Sequence, residues 1–258
     1  MDIDDAFANL AYVPDGALLP ARWAQEGQRY RERARYLADV PYGEGAREVF
    51  DLFLPERLPK GTMVFIHGGY WRSSDKSDWS YLAAGAVVAG WAVAMPSYDL
   101  CPEVTIAQIT QQIGKAIGTI ADRVPGPLRI TGHSAGGQLA ARMLAPDLAA
   151  EWTERVEKVV PISAVADLAP LLQTQMNNDL RLDSDIARAE SPIHQPPPMV
   201  PVTVWVGGDE RPVFVEQARA LADAWACELV NDAGRHHFDV LDGLRDAHSP
   251  LMRAILGD

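Results

Sequence analysis

The sequence is poor in cysteine and in basic residues, and each shortage excludes a class of protein. Only two of its 258 residues are cysteines, Cys101 and Cys227. They are too few for a disulfide framework and lack the spacing of a metal-binding motif. Acidic residues outnumber basic ones by 35 to 23, which gives a net charge of −12. Because nucleic acids and anionic membrane surfaces are bound by clustered Lys and Arg, we expect neither as a partner.

Long hydrophobic runs are lacking as well. No stretch approaches the roughly 20 apolar residues that a membrane-spanning helix needs. The acidic residues 1–5 are not followed by the apolar run of a secretory signal. We therefore expect a cytoplasmic protein whose partner is a small-molecule substrate. The sequence leaves open whether the chain forms a homodimer.

Short apolar runs alternate with helical patterns along most of the chain. The runs predict strands at 48–54, 62–67, 91–95, 128–131, 156–162, 202–206 and 228–230. Apolar residues spaced three and four apart predict helices at 23–37, 80–89, 106–120, 138–144, 213–225 and 240–256, the last interrupted at Pro250. This alternation predicts an α/β fold with a mostly parallel central sheet and helices on both faces.

The length suits a single α/β domain over residues 1–258. Residues 167–199 show no sheet pattern and end in a proline-rich run at 196–198. We predict that they form a small cap insertion over the carboxyl edge of the sheet, where open α/β sheets bind ligands.

The most informative motif is the run GHSAG from Gly132 to Gly136, which lies between a predicted strand and a predicted helix. Such a turn is so tight that the residues around its serine must be small. The motif in this context is typical of the nucleophile elbow of the α/β-hydrolase fold. Ser134 is therefore the predicted catalytic nucleophile.

A second motif, HGGYW, begins at His67 directly after a predicted strand. The α/β-hydrolase fold carries its oxyanion loop at this place upstream of the nucleophile. The predicted oxyanion hole comprises Gly68, Gly69 and Tyr70, together with the backbone N–H of Ala135. His67 itself is expected to hold the loop.

A serine nucleophile needs a base, and the base needs an orienting acid. His237 is the predicted base, because it follows the last predicted strand and begins the run His-Phe-Asp. The adjacent His236 is the alternative. Asp209 and Glu210 follow the preceding strand, and either can serve as the acid; spacing favours Asp209.

With these motifs the chain resembles the kynurenine formamidases (arylformamidases) and the bacterial esterases close to them. The similarity rests on the HGGYW and GHSAG motifs and on the runs at 42–55 and 98–102. It also aligns residues 210–217 with the segment that carries the family's acid, which places Glu210 rather than Asp209 in that position. The eukaryotic members usually have Asp there.

The resemblance implies hydrolysis of N-formyl-L-kynurenine to kynurenine and formate through an acyl-serine, a step in tryptophan breakdown. This chemistry requires no metal and no organic cofactor. Tyr70 and Trp71 are candidates for an aromatic wall of the substrate site, or they pack the loop. The alternatives are a carboxylesterase or thioesterase for small esters and a non-catalytic binding protein on the same fold.

Overall fold

One eight-stranded sheet organises the computed structural model, which describes residues 2–257. Its strands lie in the order β1-β2-β4-β3-β5-β6-β7-β8. Their bounds are β1 (Tyr36–Pro41), β2 (Val49–Phe53), β3 (Thr62–Ile66), β4 (Ala92–Pro96), β5 (Leu128–His133), β6 (Val156–Ile162), β7 (Thr203–Gly207) and β8 (Glu228–Asp232). Strand β2 pairs antiparallel with β1 and β4, and all other neighbours are parallel. The predicted mostly parallel sheet is confirmed.

Helices connect the strands and cover the sheet. They are α1 (Ile3–Ala6), α2 (Leu19–Arg31), α3 (Ala84–Val88), α4 (Ile106–Arg123), α5 (Ala135–Arg142), α6 (Asn177–Leu180), α7 (Ser184–Glu190), α8 (Pro212–Trp225) and α9 (Pro250–Leu256). The longer 3-10 segments are Lys76–Ala83, Ala169–Gln173, Glu151–Arg155 and Asp239–Arg245. Within residues 2–257, no helix has both the length and the apolar character to cross a membrane.

Helix α4 illustrates how the local sequence builds these elements. Thr105 caps its first turn by accepting from the N–H of Gln108, whose side chain accepts from the N–H of Thr105 in return. Its isoleucines, at 106, 109, 113, 117 and 120, are all fully buried. They belong to a core on one face of the sheet, and a second core with α9 lies on the other. Helices therefore cover both faces, as predicted.

The structure corrects three predicted helices. The predicted helix at 240–256 is the 3-10 segment Asp239–Arg245 followed by α9, which begins at Pro250. The predicted helix at 23–37 is α2, which runs from Leu19 to Arg31, and residues 36 and 37 already belong to β1. Tyr36 pairs there with Phe53, and their rings stack at 5.0 Å. This cross-strand partner comes from another part of the chain, so the local pattern did not reveal it. The predicted helix at 80–89 begins as the 3-10 segment Lys76–Ala83 and becomes helical only at Ala84.

Residues 167–199 hold α6, α7 and short 3-10 turns between β6 and β7. Leu168, Leu171 and Leu180 anchor this insertion in the core on the side of α4. Burial of these apolar side chains gives the segment a fixed place beside the sheet.

The carboxyl ends of β3, β5, β7 and β8 meet at one edge of the sheet, because these strands are all parallel. The loops that follow them carry the HGGYW motif, Ser134, Glu210 and His237. The fold thus gathers at one edge four segments that lie far apart in the sequence.

Candidate active site

Ser134 occupies a sharp turn between β5 and α5. Its backbone has φ 56° and ψ −117°, a conformation that costs a non-glycine residue free energy and that clusters at functional sites. A Cβ atom at Gly132 would lie 2.2 Å from the carbonyl oxygen of Gly136, and one at Gly136 would lie 2.0 Å from that of Ile66. Only glycine fits at either position, so the two glycines of the motif are required by backbone contact.

The structure brings His237 and Glu210 together. His237 Nδ1 lies 2.6 Å from Glu210 Oε2, and both side chains are almost completely buried. The other carboxylate oxygen accepts from the hydroxyl of Ser163 and, at 2.8 Å, from the backbone N–H of Gly207. Both oxygens of Glu210 are therefore satisfied in a fixed orientation. The sequence had not pointed to Ser163, which lies in the loop after β6.

The two neighbours that were sequence alternatives occupy other environments. Asp209 is exposed, and its backbone N–H donates to the carbonyl of Arg235. His236 is half-buried, and its Nδ1 accepts from the backbone N–H of Phe238 at 3.1 Å. The structure thus places Glu210 and His237, rather than Asp209 and His236, in mutual contact.

The HGGYW loop runs close to Ser134. A Cβ atom at Gly68 would lie 3.1 Å from Ser134 Cβ, and Gly69 has φ +111°. Within residues 2–257, the backbone N–H groups of Gly69, Tyr70 and Ala135 donate to no other group. Ala135 N–H is one of the free donors at the start of α5. These amides are available to a ligand at Ser134.

His67 stabilises the HGGYW loop. It is fully buried, and its Nδ1 lies 2.8 Å from the carbonyl oxygen of Gly68. The ring of Tyr98 stacks on it at 4.3 Å. Burial lowers the pKa of His67 to about 4, so the imidazole is neutral near pH 7. These contacts agree with the predicted structural role of His67.

His133 makes a contact that the sequence did not reveal. Its Nε2 lies 2.7 Å from the backbone carbonyl oxygen of His237, and the two rings are 4.5 Å apart. Burial, followed by the proximity of His237, lowers the pKa of His133 well below its ordinary value. A neutral His133 can donate from Nε2 and so ties the loop of His237 to the elbow.

Of the two roles considered for Trp71, the structure contradicts the wall of a substrate site and agrees with packing of the loop. Its side chain is fully buried, and its Nε1 donates to Gln138 Oε1 at 3.0 Å. A buried indole needs a hydrogen-bond acceptor, and α5 provides one here. Tyr70, in contrast, lines the cavity above Ser134.

That cavity has a volume of about 640 Å³ and reaches both Ser134 and His237. Its aromatic lining consists of Phe7, Trp23, Tyr70, Trp79 and Phe238. Trp23 packs against Trp79 and Phe238 with ring centroids 4.6 and 5.1 Å apart. The size and apolar lining are those of a small-molecule site.

Much of the cavity wall comes from the N-terminal segment, defined here as residues 3–23. It contributes eight lining residues, whereas the insertion 167–199 contributes only Met176. Asp5 ties the segment to the loop after β7 through a 2.7 Å ion pair with Arg211. The Tyr70 hydroxyl donates to the carbonyl of Phe7 at 2.8 Å, which ties the segment to the HGGYW loop. The mixed composition of residues 1–45 had not indicated this role.

Comparison with known proteins agrees with the geometry. The profile of the α/β hydrolase fold family matches residues 63–195, from β3 through the elbow to the end of the insertion. A crystal structure from Silicibacter sp. TM1040, provisionally assigned as a thioesterase, is 50% identical, covers 99% of each chain and superposes with a TM-score of 0.97.

Curated relatives include kynurenine formamidases. The one from Salmo salar is 27% identical over 246 residues, which cover 89% of this chain and 84% of the relative. The one from Drosophila melanogaster is 29% identical over 244 residues, 84% of this chain and 80% of the relative. The match over more than half of the chain, together with the elbow at the edge of a mostly parallel sheet, shows that the chain belongs to the α/β-hydrolase family and is a hydrolase.

Proposed function

We propose that the chain is a serine hydrolase that works through an acyl-serine intermediate. Ser134 is the nucleophile, His237 the general base and Glu210 the acid that orients it. The observation that carries this proposal is the 2.6 Å contact between His237 Nδ1 and Glu210 Oε2, in the same site as a serine held at positive φ. Nucleophile, base and orienting acid are the three roles that this chemistry requires.

The hydrogen bonding supports a defined tautomer of the base. With its Nδ1 proton donated to Glu210, His237 keeps an unprotonated Nε2 that can accept the proton of the Ser134 hydroxyl. The serine oxygen then attacks the carbonyl carbon of the substrate. The protonated imidazole gives its proton to the leaving group. Water then attacks the acyl-serine while His237 takes its proton, and His237 returns that proton to the Ser134 oxygen as the acid product leaves.

The available amides beside Ser134 suit the negative charge that develops during attack. Gly69, Tyr70 and Ala135 supply N–H donors in the oxyanion hole, and Gly68 keeps the approach to the serine open. Ala135 also begins α5, whose N-terminus favours a negative charge. Losing one such donor typically lowers kcat about 10²–10³-fold.

For the substrate, we propose N-formyl-L-kynurenine, cleaved to kynurenine and formate. The kynurenine formamidases of Salmo salar and Drosophila melanogaster match most of this chain. The cavity offers an aromatic lining for an anilide ring, with Tyr70, Trp79 and Phe238 close to the two catalytic residues. His237 would protonate the arylamine as it leaves.

A carboxylesterase or thioesterase is the second candidate. The observation that favours it is the 50% identity to the Silicibacter protein that is provisionally assigned as a thioesterase. The same serine, base and oxyanion donors would cleave an ester or thioester, so the catalytic geometry serves both candidates equally.

The two candidates differ in kcat/KM for N-formyl-L-kynurenine, p-nitrophenyl acetate and a short acyl thioester. A formamidase should process formylkynurenine at roughly 10⁴ M⁻¹s⁻¹ or better, within the usual range of enzymes. Ser134→Ala should abolish turnover of all three substrates, and a fluorophosphonate probe should label only the wild type. Turnover of the ester or thioester alone would replace the formamidase proposal by the second candidate. Normal activity of folded Ser134→Ala would refute the acyl-serine mechanism.

A further inference from the structure

The cavity above Ser134 is mainly apolar, but three charged residues besides its histidines line it within the described chain: Asp4, Arg72 and Asp78. The Asp78 carboxylate is already engaged. Its Oδ2 accepts from the backbone N–H of Asp75 at 3.1 Å and from the Ser74 hydroxyl at 3.3 Å. These bonds stabilise the first turn of the 3-10 segment Lys76–Ala83, to which Asp78 belongs. Asp4 accepts one hydrogen bond and Arg72 donates to one carboxylate, so each keeps groups for a ligand.

Arg72 follows the HGGYW loop directly, and its backbone N–H donates to the carbonyl of Gly69. One nitrogen, Nη1, contacts Asp179 at 2.6 Å. Nε is buried and has no hydrogen-bond partner among residues 2–257. A guanidinium carries five N–H donors in a planar fork that matches a carboxylate. Arg72 therefore has unused donors in a side chain that is one-third exposed.

Asp4 lines the same cavity as Arg72. Its Oδ1 accepts from the backbone N–H of Gln175 at 2.8 Å, whereas Arg72 binds Asp179. Gln175 lies two residues before α6 and Asp179 lies within it, so the two anchors are four residues apart in the chain. Met176, between them in sequence, lines the cavity. The short segment 175–179 therefore contacts both Asp4 and Arg72 and places an anion and a cation beside the same cavity.

We propose that Arg72 and Asp4 form a subsite for an α-amino-acid head group, in which Arg72 binds the carboxylate and Asp4 the ammonium. The inference rests on the proposed formamidase function, since formylkynurenine carries such a group beyond its ring. The ring lies in the aromatic part of the cavity, the formamide reaches Ser134, and the charged end meets the rim. In a chain of net charge −12, a substrate carboxylate needs a local cation to be bound.

A matched pair of substrates tests the subsite. The compound 2′-formamidoacetophenone keeps the formanilide and the ketone of N-formyl-L-kynurenine but lacks the head group. The wild type should prefer formylkynurenine in kcat/KM, mainly through a lower KM. Arg72→Met should reduce the ratio of the two kcat/KM values tenfold or more, because the carboxylate loses its charge-assisted partner. Asp4→Asn should reduce it by a smaller factor.

Asp179→Asn is the matched control, because it removes the ion pair of Arg72 but leaves the guanidinium. It should preserve the preference for formylkynurenine or increase it. If Arg72→Met and Asp179→Asn reduce the preference equally, Arg72 acts only through its ion pair and the proposal is overturned. An unchanged preference in Arg72→Met overturns it as well.

Binding to the Ser134→Ala protein separates this inference from the proposed function. We expect calorimetry to give a lower Kd for formylkynurenine than for the analogue, with a difference that disappears when Arg72→Met is added. If that holds while the wild type hydrolyses neither amide, the subsite stands and the formamidase function fails. If the wild type hydrolyses both amides and Ser134→Ala binds them equally, the formamidase function stands and the subsite fails.

Discussion

The elbow around Ser134 and the N-terminal segment border the same cavity, but different interactions hold them in place. The elbow is determined by backbone contact, since a Cβ atom at Gly136 would lie 2.0 Å from a carbonyl oxygen of β3. The N-terminal segment is attached by side chains, chiefly the Asp5–Arg211 ion pair and the Tyr70 hydroxyl. A rigid elbow suits bond making, whereas side-chain anchors allow the wall to change with the substrate. We therefore expect changes near the elbow to affect kcat and changes in the N-terminal segment to affect KM.

The largest expected loss of kcat comes from replacing Glu210, the proposed acid. Glu210→Gln keeps the shape but removes the charge that orients His237 and stabilises its protonated form. We expect kcat to fall by about 10³–10⁴, as for the loss of the acid in a serine triad. Asp209→Asn is the matched control on the neighbouring exposed residue and should change kcat less than twofold. Equal losses in the two variants would contradict the assignment of the acid.

Lowering the pH should destabilise the HGGYW loop beside the elbow before it breaks the ion pair that anchors the N-terminal segment. The pKa of His67 falls from its ordinary 6.5 to about 4 through burial, so the unfolded chain binds the proton more tightly than the folded one. The contribution of His67 to the free energy of unfolding is therefore fully present above about pH 6.5. It declines by roughly 3 kcal/mol as the pH falls towards 4. A hydrogen bond from Tyr12, with Arg211 nearby, lowers the pKa of Asp5, so its stabilising contribution persists until the pH falls below 3.8.

Urea unfolding between pH 7.5 and 4.5 measures this decline. In His67→Asn, which cannot titrate, the free energy of unfolding should depend less steeply on pH. An equally steep decline in this variant would show that other groups, such as the buried His133, cause it.

A smaller effect is expected from His133, which joins the elbow to the loop of the base. His133→Leu removes the donor to the carbonyl of His237, and we expect kcat to fall about 10–30-fold, since misplacement of a catalytic group by about 1 Å can cost up to 10². His133→Gln has an amide N–H and should recover part of the loss. If KM changes and kcat does not, His133 does not position the base.

The smallest effect is expected in the N-terminal segment. Trp23→Ala removes a ring that lines the cavity and packs on Trp79 and Phe238. We expect KM for an aromatic substrate to rise about three- to tenfold, in line with 0.5–1.5 kcal/mol for an aromatic pair, with kcat changed less. Leu58→Ala, at a leucine that is 95% exposed and outside the cavity, serves as the control. A larger change in kcat than in KM for Trp23→Ala would contradict the proposed difference between the elbow and the N-terminal segment.

The sequence predicted the parts of the site that depend on local geometry. The run from Gly132 to Gly136 identified the turn, because a strand followed at once by a helix leaves no space for side chains beside the serine. The strands were found because those buried on both faces form short apolar runs. Strand β1 escaped detection, since it pairs with β2 alone at the edge of the sheet and is mostly exposed.

Other features were undecided until the chain was folded. Asp209 and Glu210 are adjacent and chemically alike; spacing favoured Asp209 and the family resemblance favoured Glu210. The contacts with Ser163, Gly207 and His237 distinguish the buried carboxylate from the exposed one. Trp71 was a candidate for the substrate wall until α5 placed Gln138 beside its indole.

By itself, the sequence determined the fold class and the turn at Ser134, because these depend on hydrophobic periodicity and on backbone space within a few residues. It also predicted the order of the segments to which we assign catalysis. Tertiary structure resolved the conflict between spacing and resemblance over which acid meets His237, and it alone decided which segment forms the wall of the cavity. Asp5 and Arg211 are 206 residues apart in the chain, so no local pattern could relate them. Their contact forms because the N-terminal segment folds over the carboxyl edge of the sheet, where Phe7 packs against Tyr70 and Phe214.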